Sequence, residues 1–486
     1  MRALPAAIAV IALLVSGCGG DPPVSVPTAS GPATSAATPP PSDVPGRYGD
    51  AASTVREDSV YPDVGEPTID ALHYGLVLRW EPERRRLVGT AAIRFRATAT
   101  GDHIRLDLAP QLKPSAVRLD RERVTFQHPG KDLLVTTPVV KNRLYTLRVT
   151  YAGRPRPTSA PTTRGDTPGL GWTTQPDGQV RAMQEPYGAF TWYPVNDQPA
   201  DKAFYDVKVD VPGRWVGISN GRLLARSTKA GRTRTAWRLT HPAASYLVTI
   251  AIGPYRRYDD TGPHGLPITY WVRPGDRRLL PVVRRAPEAI GWLEDRLGPL
   301  PSDRMGFVIV PDASGMETQD MITLGRESIQ QADGGQVVTH ELAHQWYGDA
   351  VTPSDWRDVW MNEGMATYLQ AEWTVTHGRA TWEGWETQLR AADNPLRRTF
   401  GPPGAYHADE FAQGNVYFCA ALMWRVLHDD LGTAAFAKLR RDWIQDHLFS
   451  NEDRDRLAAW WSEESGKDLT GFFTTWLLAK KTPTSS

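Results

Sequence analysis

Hydrophobic and polar positions alternate with a period of two through the first half of the chain. Tyr74, Leu76, Leu78 and Trp80 interleave with Gly75, Val77 and Arg79, and Ala91, Ile93, Phe95 and Ala97 with Ala92, Arg94 and Arg96. Tyr145, Leu147, Val149 and Tyr151 repeat the pattern, and Tyr205, Val207, Val209 and Val211 stand against Asp206, Lys208 and Asp210. Successive side chains on a strand point to opposite faces, so each run predicts a half-buried strand. The stretch SYLVTIAIG, 245–253, is apolar almost throughout and reads as a fully buried strand. Together these runs predict a β-sheet domain over residues 63–256.

Beyond about Asp276 the period becomes helical. LLPVVRRAPEAIGWLEDRLG, 279–298, predicts one helix ended by Gly298 and Pro299, and MGFVIV, 305–310, predicts a strand. Two helices follow Gly334, and residues 375–480 read as helical, through FAQGNVYFCAALMWRVLHDDLG, TAAFAKLRRDWIQDH and RDRLAAWWSEE. A small β portion followed by helices predicts a second, α+β domain over 257–484.

Composition narrows the partners. The 486 residues, 41% hydrophobic, suffice for two domains with real cores. Lys+Arg and Asp+Glu both total 55 and no like-charge run stands out, which argues against nucleic acid as a partner. The 18 tryptophans then read as packing residues.

The N-terminus predicts export. One Arg, a short apolar run and Val15-Ser16-Gly17-Cys18 read as a secretory signal over residues 1–18, too short to span a bilayer stably. The small residues before Cys18 resemble a bacterial lipobox, which would leave Cys18 lipidated and the protein on the outer face of the bacterial cell membrane. The alternative is an ordinary signal peptide with an incidental cysteine. Residues 19–62, rich in Pro, Ser, Thr, Ala and Gly, read as a flexible tether. Cys419 is the one other cysteine, so no intramolecular disulfide is expected in the mature chain, and its apolar surroundings predict a buried small hydrophobe.

The segment 340–364 carries the chemistry. His340, Glu341 and His344 form H-E-x-x-H, and Glu363 follows after 18 intervening residues. Histidines four apart on a helix share a face, so both imidazoles reach one ion, and Glu363 from a second helix completes a set of three. Three protein ligands leave a zinc position open, the mark of a catalytic rather than a structural site. Glu341 is placed to take a proton from water.

This segment resembles the aminopeptidase N family of zinc peptidases, which includes leukotriene hydrolase. The family pattern H-E-x-x-H-x-W-[FY]-G, V-T, W-x-x-x-W-x-N-E-G is met by His344-Gln345-Trp346-Tyr347-Gly348, Val351-Thr352, and Trp356 through Trp360 to Asn362-Glu363-Gly364. The resemblance implies an N-terminal β-sheet saddle domain, a thermolysin-like zinc domain and one Zn2+ per chain. It also implies no large C-terminal helical domain in this chain, which runs 123 residues past Glu363, and hence a more open cleft.

The same resemblance supplies further roles. Ser314, Gly315, Met316 and Glu317 occupy the first four places of the family's G-x-M-E-N, with Ser314 departing from its Gly and Thr318 from its Asn; there the Glu holds the substrate's free α-amino group. Glu185, 12 residues before Asp197, matches the second amine-binding position, with Gln184 the neighbouring candidate. Tyr417 matches the tyrosine that donates to the oxyanion, although Phe418, Cys419 and Ala420 replace E-K-G; Tyr406 is the fallback. The implied activity is release of N-terminal residues from peptides. A zinc endopeptidase and an inactive cell-surface binding protein remain as alternatives.

Overall fold

The computed structural model describes residues 46–330 and 334–484. The signal segment, Cys18 and the tether up to residue 45 lie outside the described residues. The alternating runs form the predicted strands. Ile69–Glu81, Arg86–Ala97, Leu144–Gly153 and Lys202–Pro212 lie together in the large N-terminal sheet. Ile69–Glu81 pairs antiparallel with Arg86–Ala97 and parallel with Lys202–Pro212. Leu76, Leu78 and Trp80 are buried, whereas Val77 on the opposite face is 50% exposed. A smaller sheet, ordered Val216–Ser219, Ile250–Gly253, Val180–Met183 and Gly171–Thr174, is built from strands interleaved in sequence with the last strands of the large one.

The expected strand over 245–253 is shorter than its composition suggests. Ser245–Leu247 forms a 3-10 turn and only Ile250–Gly253 is strand. Buried polar side chains take the backbone groups a longer strand would need: Gln184 Nε2 donates to the Ser245 and Val248 carbonyls, and Asn220 Nδ2 to that of Leu247. Residues 48–62, expected inside the tether, are packed instead. Arg56 and Ser59 bond Asp355, Asp58 Oδ2 accepts from Trp356 N at 2.7 Å, and Tyr61 donates to the Ala408 carbonyl at 2.9 Å. This arm ties the N-terminal lobe to the connection between the two helices of the H-E-x-x-H and N-E-G motifs.

The second domain begins with a five-stranded sheet ordered Arg256–Thr261, Pro267–Val272, Met305–Val310, Ile322–Gly325 and Gly315–Met316. Gly315–Met316 is the edge strand, antiparallel to its neighbour. The single helix expected over 279–298 is two, Leu280–Val283 and Ala286–Leu297. Pro287 at the start of the second lacks the N–H that would continue the first. Gly298 ends it at φ +85°, where a side chain is disfavoured. Helices Trp382–Phe400, Ala420–Leu431, Thr433–Asp446, Arg454–Ser465 and Thr470–Leu478 follow. Twelve tryptophans, among them Trp346, Trp356, Trp360 and Trp424, are under 2% exposed, so they pack the cores of both domains. Cys419 is buried.

Candidate metal centre

Two helices bring the candidate ligands together. Gly334–Ala343 carries His340 and Glu341, and the chain tightens into a turn at its end that carries His344. Trp360–Thr376 carries Glu363 in its first turn, where the helix dipole favours a carboxylate. Gly364 lets this helix approach the next layer: a Cβ there would lie 2.4 Å from Ala420 Cβ. His340 Nε2 and His344 Nε2 are 3.2 Å apart, and they stand 3.2 and 3.4 Å from Glu363 Oε2.

This donor set fits a tetrahedral cation. Ligand atoms about 2.0–2.1 Å from a tetrahedral centre stand roughly 3.4 Å from one another. His344 Nδ1 lies 3.1 Å from the Tyr347 carbonyl, which can only accept, so Nδ1 carries a hydrogen and Nε2 is the atom left to face a cation; against the effect of burial, the carboxylates of Glu317 and Glu363 raise the ring's proton affinity while no cation is bound. Three buried ligand atoms thus converge on one point, where a cation can replace the proton the set would otherwise hold. Burial lowers the proton affinity of His340, in keeping with a neutral ligand. Burial alone would raise that of Glu363, but His344 and His340 beside it hold it well below the ordinary carboxylate range.

The remaining predicted residues separate into those that face this set and those that do not. Glu341, Glu317, Glu185, Gly315, Met316 and Tyr417 all line the same cleft, which encloses about 1350 Å³ counted to its open mouth. Burial raises the carboxyls of Glu185, Glu317 and Glu341, the last to about 8. Glu317 Oε1 and Glu185 Oε1 are buried without a hydrogen-bond partner. Gln345, two residues before Tyr347, donates to the Glu317 carbonyl at 2.8 Å and so fixes the loop beside the edge strand. Tyr417 sits in a π-helical turn, Asn415–Cys419, and donates to Glu363 Oε1 at 2.9 Å.

The two alternates have other partners. Gln184 spends its amide on the Ser245 and Val248 carbonyls and accepts from Trp192 Nε1 at 2.8 Å. Tyr406 donates to the Trp356 carbonyl at 2.8 Å. Asp197 anchors a turn, accepting from Gly188 N, Phe190 N and Ser245 Oγ. Sequence reasoning missed Arg164, which reaches the cleft from the loop between Leu144–Gly153 and Gly171–Thr174 and donates to Tyr417 Oη at 3.1 Å. It also missed Arg181, whose ion pair with Asp312 joins the smaller N-terminal sheet to the loop before Gly315. Neither arginine lies in a run whose spacing marks a site.

Comparison with known proteins gives a consistent picture. Residues 70–247 match the Peptidase M1 N-terminal domain and residues 285–476 the Peptidase family M1 domain. The chain is 27% identical over 327 residues to "Aminopeptidase M1" of Arabidopsis thaliana, covering 62% of this chain and 37% of that protein. It is 25% identical over 458 residues to "Glutamyl aminopeptidase" of Homo sapiens, covering 84% of this chain and 46% of that protein. The chain thus spans less than half the length of these curated relatives. Its fold matches the crystal structure of an M1 zinc metallopeptidase from Deinococcus radiodurans bound to a Tyr-Ser-Ala substrate. The TM-score is 0.76 at 24% identity, covering 88% of this chain and 98% of that one.

Proposed function

Because the chain belongs to the M1 family of peptidases, we propose that it is a zinc-dependent aminopeptidase that removes residues from the free N-terminus of peptides. The observation that carries this reading is the pair Glu317 and Glu185, buried in the wall of the cleft with an unpartnered oxygen each. A buried carboxylate calls for a cationic partner, and the α-ammonium of a peptide is one. An amine held there leaves only the first peptide bond within reach of the His340/His344/Glu363 set.

His340, His344 and Glu363 would hold the zinc, which when bound supplies Lewis-acid chemistry at the scissile carbonyl and acidifies water. Glu341 takes a proton from the attacking water and returns it to the leaving amine, a task suited to a carboxyl whose proton affinity burial has raised towards neutrality. Tyr417 donates to the carbonyl oxygen as that atom gains negative charge. The Gly315–Met316 edge offers backbone groups to an extended substrate.

Turnover of aminoacyl p-nitroanilides with free and N-acetylated amines, before and after chelation, tests the reading. Only the free-amine series should be cleaved, and activity should vanish on chelation and return with zinc. Equal cleavage of blocked substrates would favour an endopeptidase, and an inert zinc-loaded protein a binding role.

The N-terminus adds a location to the proposal: export, and anchoring to the outer face of the bacterial membrane through lipid on Cys18. The support is the apolar run ending in Val15-Ser16-Gly17-Cys18. Among the described residues no helix is long and apolar enough to cross a membrane. Cys18→Ala should move the protein from the membrane fraction to the soluble one; unchanged partition would overturn the anchor.

A further inference from the structure

A loop of the N-terminal domain delivers a guanidinium to the wall of the cleft. Arg164 Nη1 donates to Tyr417 Oη at 3.1 Å and to the Ala412 carbonyl at 2.9 Å. Its Nε and Nη2 form a two-point ion pair with Asp166 at 3.0 and 2.7 Å. The guanidinium carbon stands 5.8 Å from the centre of the Tyr417 ring. The loop is stitched to the segment that leads into Tyr417. Thr163 Oγ1 donates to Glu410 Oε2 at 2.6 Å and accepts from Gln413 Nε2 at 2.9 Å, and Phe411 N donates to the Pro161 carbonyl at 2.8 Å.

The donor inventory fixes the direction of the phenol hydrogen. A guanidinium has donors and no acceptor, and a phenol has one hydrogen and lone pairs on its oxygen. With Arg164 donating to that oxygen, the hydrogen has to leave on another side. It goes to Glu363 Oε1, 2.9 Å away, and so points at the candidate ligand set. A cationic donor on the phenol oxygen also draws electron density from it, which strengthens its O–H as a donor in turn.

We propose that Arg164 is a positioning residue for Tyr417: it aims the phenol hydrogen into the cleft and strengthens it as a donor to the oxygen that gains charge during cleavage. The inference rests on the aminopeptidase reading above. It assigns a part in the chemistry to the N-terminal domain beyond the amine contact of Glu185. Its rival is a structural role, in which Arg164 only staples the loop to the catalytic domain. The Thr163 stitches allow the two to be separated.

The test compares zinc-loaded wild type, Arg164→Met, Arg164→Lys, Thr163→Ala, and Arg164→Met in a Tyr417→Phe background. Turnover of a free-amine aminoacyl p-nitroanilide is read beside calorimetric binding of a phosphinic pseudopeptide, a tetrahedral mimic. Zinc stoichiometry and melting midpoint are measured for each variant. Arg164→Met should lower kcat and phosphinate affinity together by about 10–100-fold, with KM and zinc content close to wild type. Arg164→Lys, which keeps the charge and a donor, should recover part of the loss. Thr163→Ala, which loosens the loop and spares the guanidinium, should change kcat by less than about threefold, as should Arg164→Met once the Tyr417 hydroxyl is gone. Wild-type behaviour of Arg164→Met, or the same loss with and without the hydroxyl, would overturn the proposal. A zinc-loaded wild type that cleaves no free-amine substrate would instead sink the aminopeptidase reading, and this inference with it.

Discussion

Gly315 and Glu341 meet at the floor of the cleft: a Cβ on residue 315 would lie 2.3 Å from Glu341 Oε1. The edge strand and the carboxylate therefore need a residue with no side chain between them. Gly315→Ala has to displace one or the other. A misplacement of about 1 Å at a reacting group costs on the order of 10²-fold, so kcat should fall by about that factor with zinc content unchanged. Full activity in the alanine variant would show that neither position matters.

Glu341→Gln keeps the shape of the side chain and loses the base. Zinc stoichiometry, read by atomic absorption, should equal wild type, because Glu341 is not in the converging set. Turnover should fall by about 10²–10⁴-fold. Undiminished turnover rules Glu341 out as the proton acceptor.

Tyr417 and Tyr406 make opposite predictions. Tyr417→Phe removes a donor beside Glu363 and should lower kcat by about 10²–10³-fold with little change in KM. Tyr406→Phe strands the buried Trp356 carbonyl and should cost about 1–3 kcal/mol of stability while sparing kcat. Denaturant melts and steady-state kinetics on both variants decide the assignment; the reverse pattern would exchange their roles.

Glu317→Gln removes the charge that faces the substrate ammonium. A hydrogen bond to a charged group contributes about 1.5–3 kcal/mol, so kcat/KM on free-amine substrates should drop roughly 10- to 150-fold. Discrimination against N-acetylated substrates should shrink with it. Glu185→Gln, which keeps an acceptor beside an intact Glu317, should cost less. Unchanged discrimination in both variants would place amine recognition elsewhere.

Metal removal should destabilise the fold, and more so at higher pH. Burial raises Glu185, Glu317 and Glu341 above their unfolded values, the last to about 8. In that case the folded chain holds protons the unfolded chain has released, so ion-free stability falls as pH climbs through the ordinary carboxylate range towards 8. A bound cation offsets that loss, and its imidazole ligands bind it only when neutral. Zinc at about 1,000 times its Kd adds roughly 4 kcal/mol. The difference in melting midpoint between loaded and chelated protein should therefore be larger near pH 8 than near pH 5.5. A difference that shrinks with rising pH would contradict the assignment of these groups.

The ligand set was legible because its geometry is local. His340 and His344 share a helix face by spacing alone, and Glu363 lies on the next helix, close enough that the short connection through Trp356 leaves few ways to place it. The four long strands were legible for a similar reason, since alternation records burial directly. What escaped depends on contacts between distant segments. Pro287 divides a helix whose apolar period runs unbroken across it. Gln184 and Glu185 look interchangeable in sequence and both border the cleft, but Gln184 spends its amide on backbone carbonyls and the Trp192 indole whereas Glu185 Oε1 has no partner. Arg164 sits in a Pro- and Thr-rich loop with no period, and its partner Tyr417 lies 253 residues away.

The belt formed by Arg56, Asp58, Ser59 and Tyr61 has a consequence for how the molecule comes apart. Its buckle, Asp355 with Trp356, sits on the linker that sets the spacing between the histidine pair and Glu363. Slack in the belt is thus transmitted to the ion-holding geometry, and the two lobes are expected to melt as one cooperative unit. A fragment trimmed back to the first long strand would lose both the clasp and the rigidity it lends.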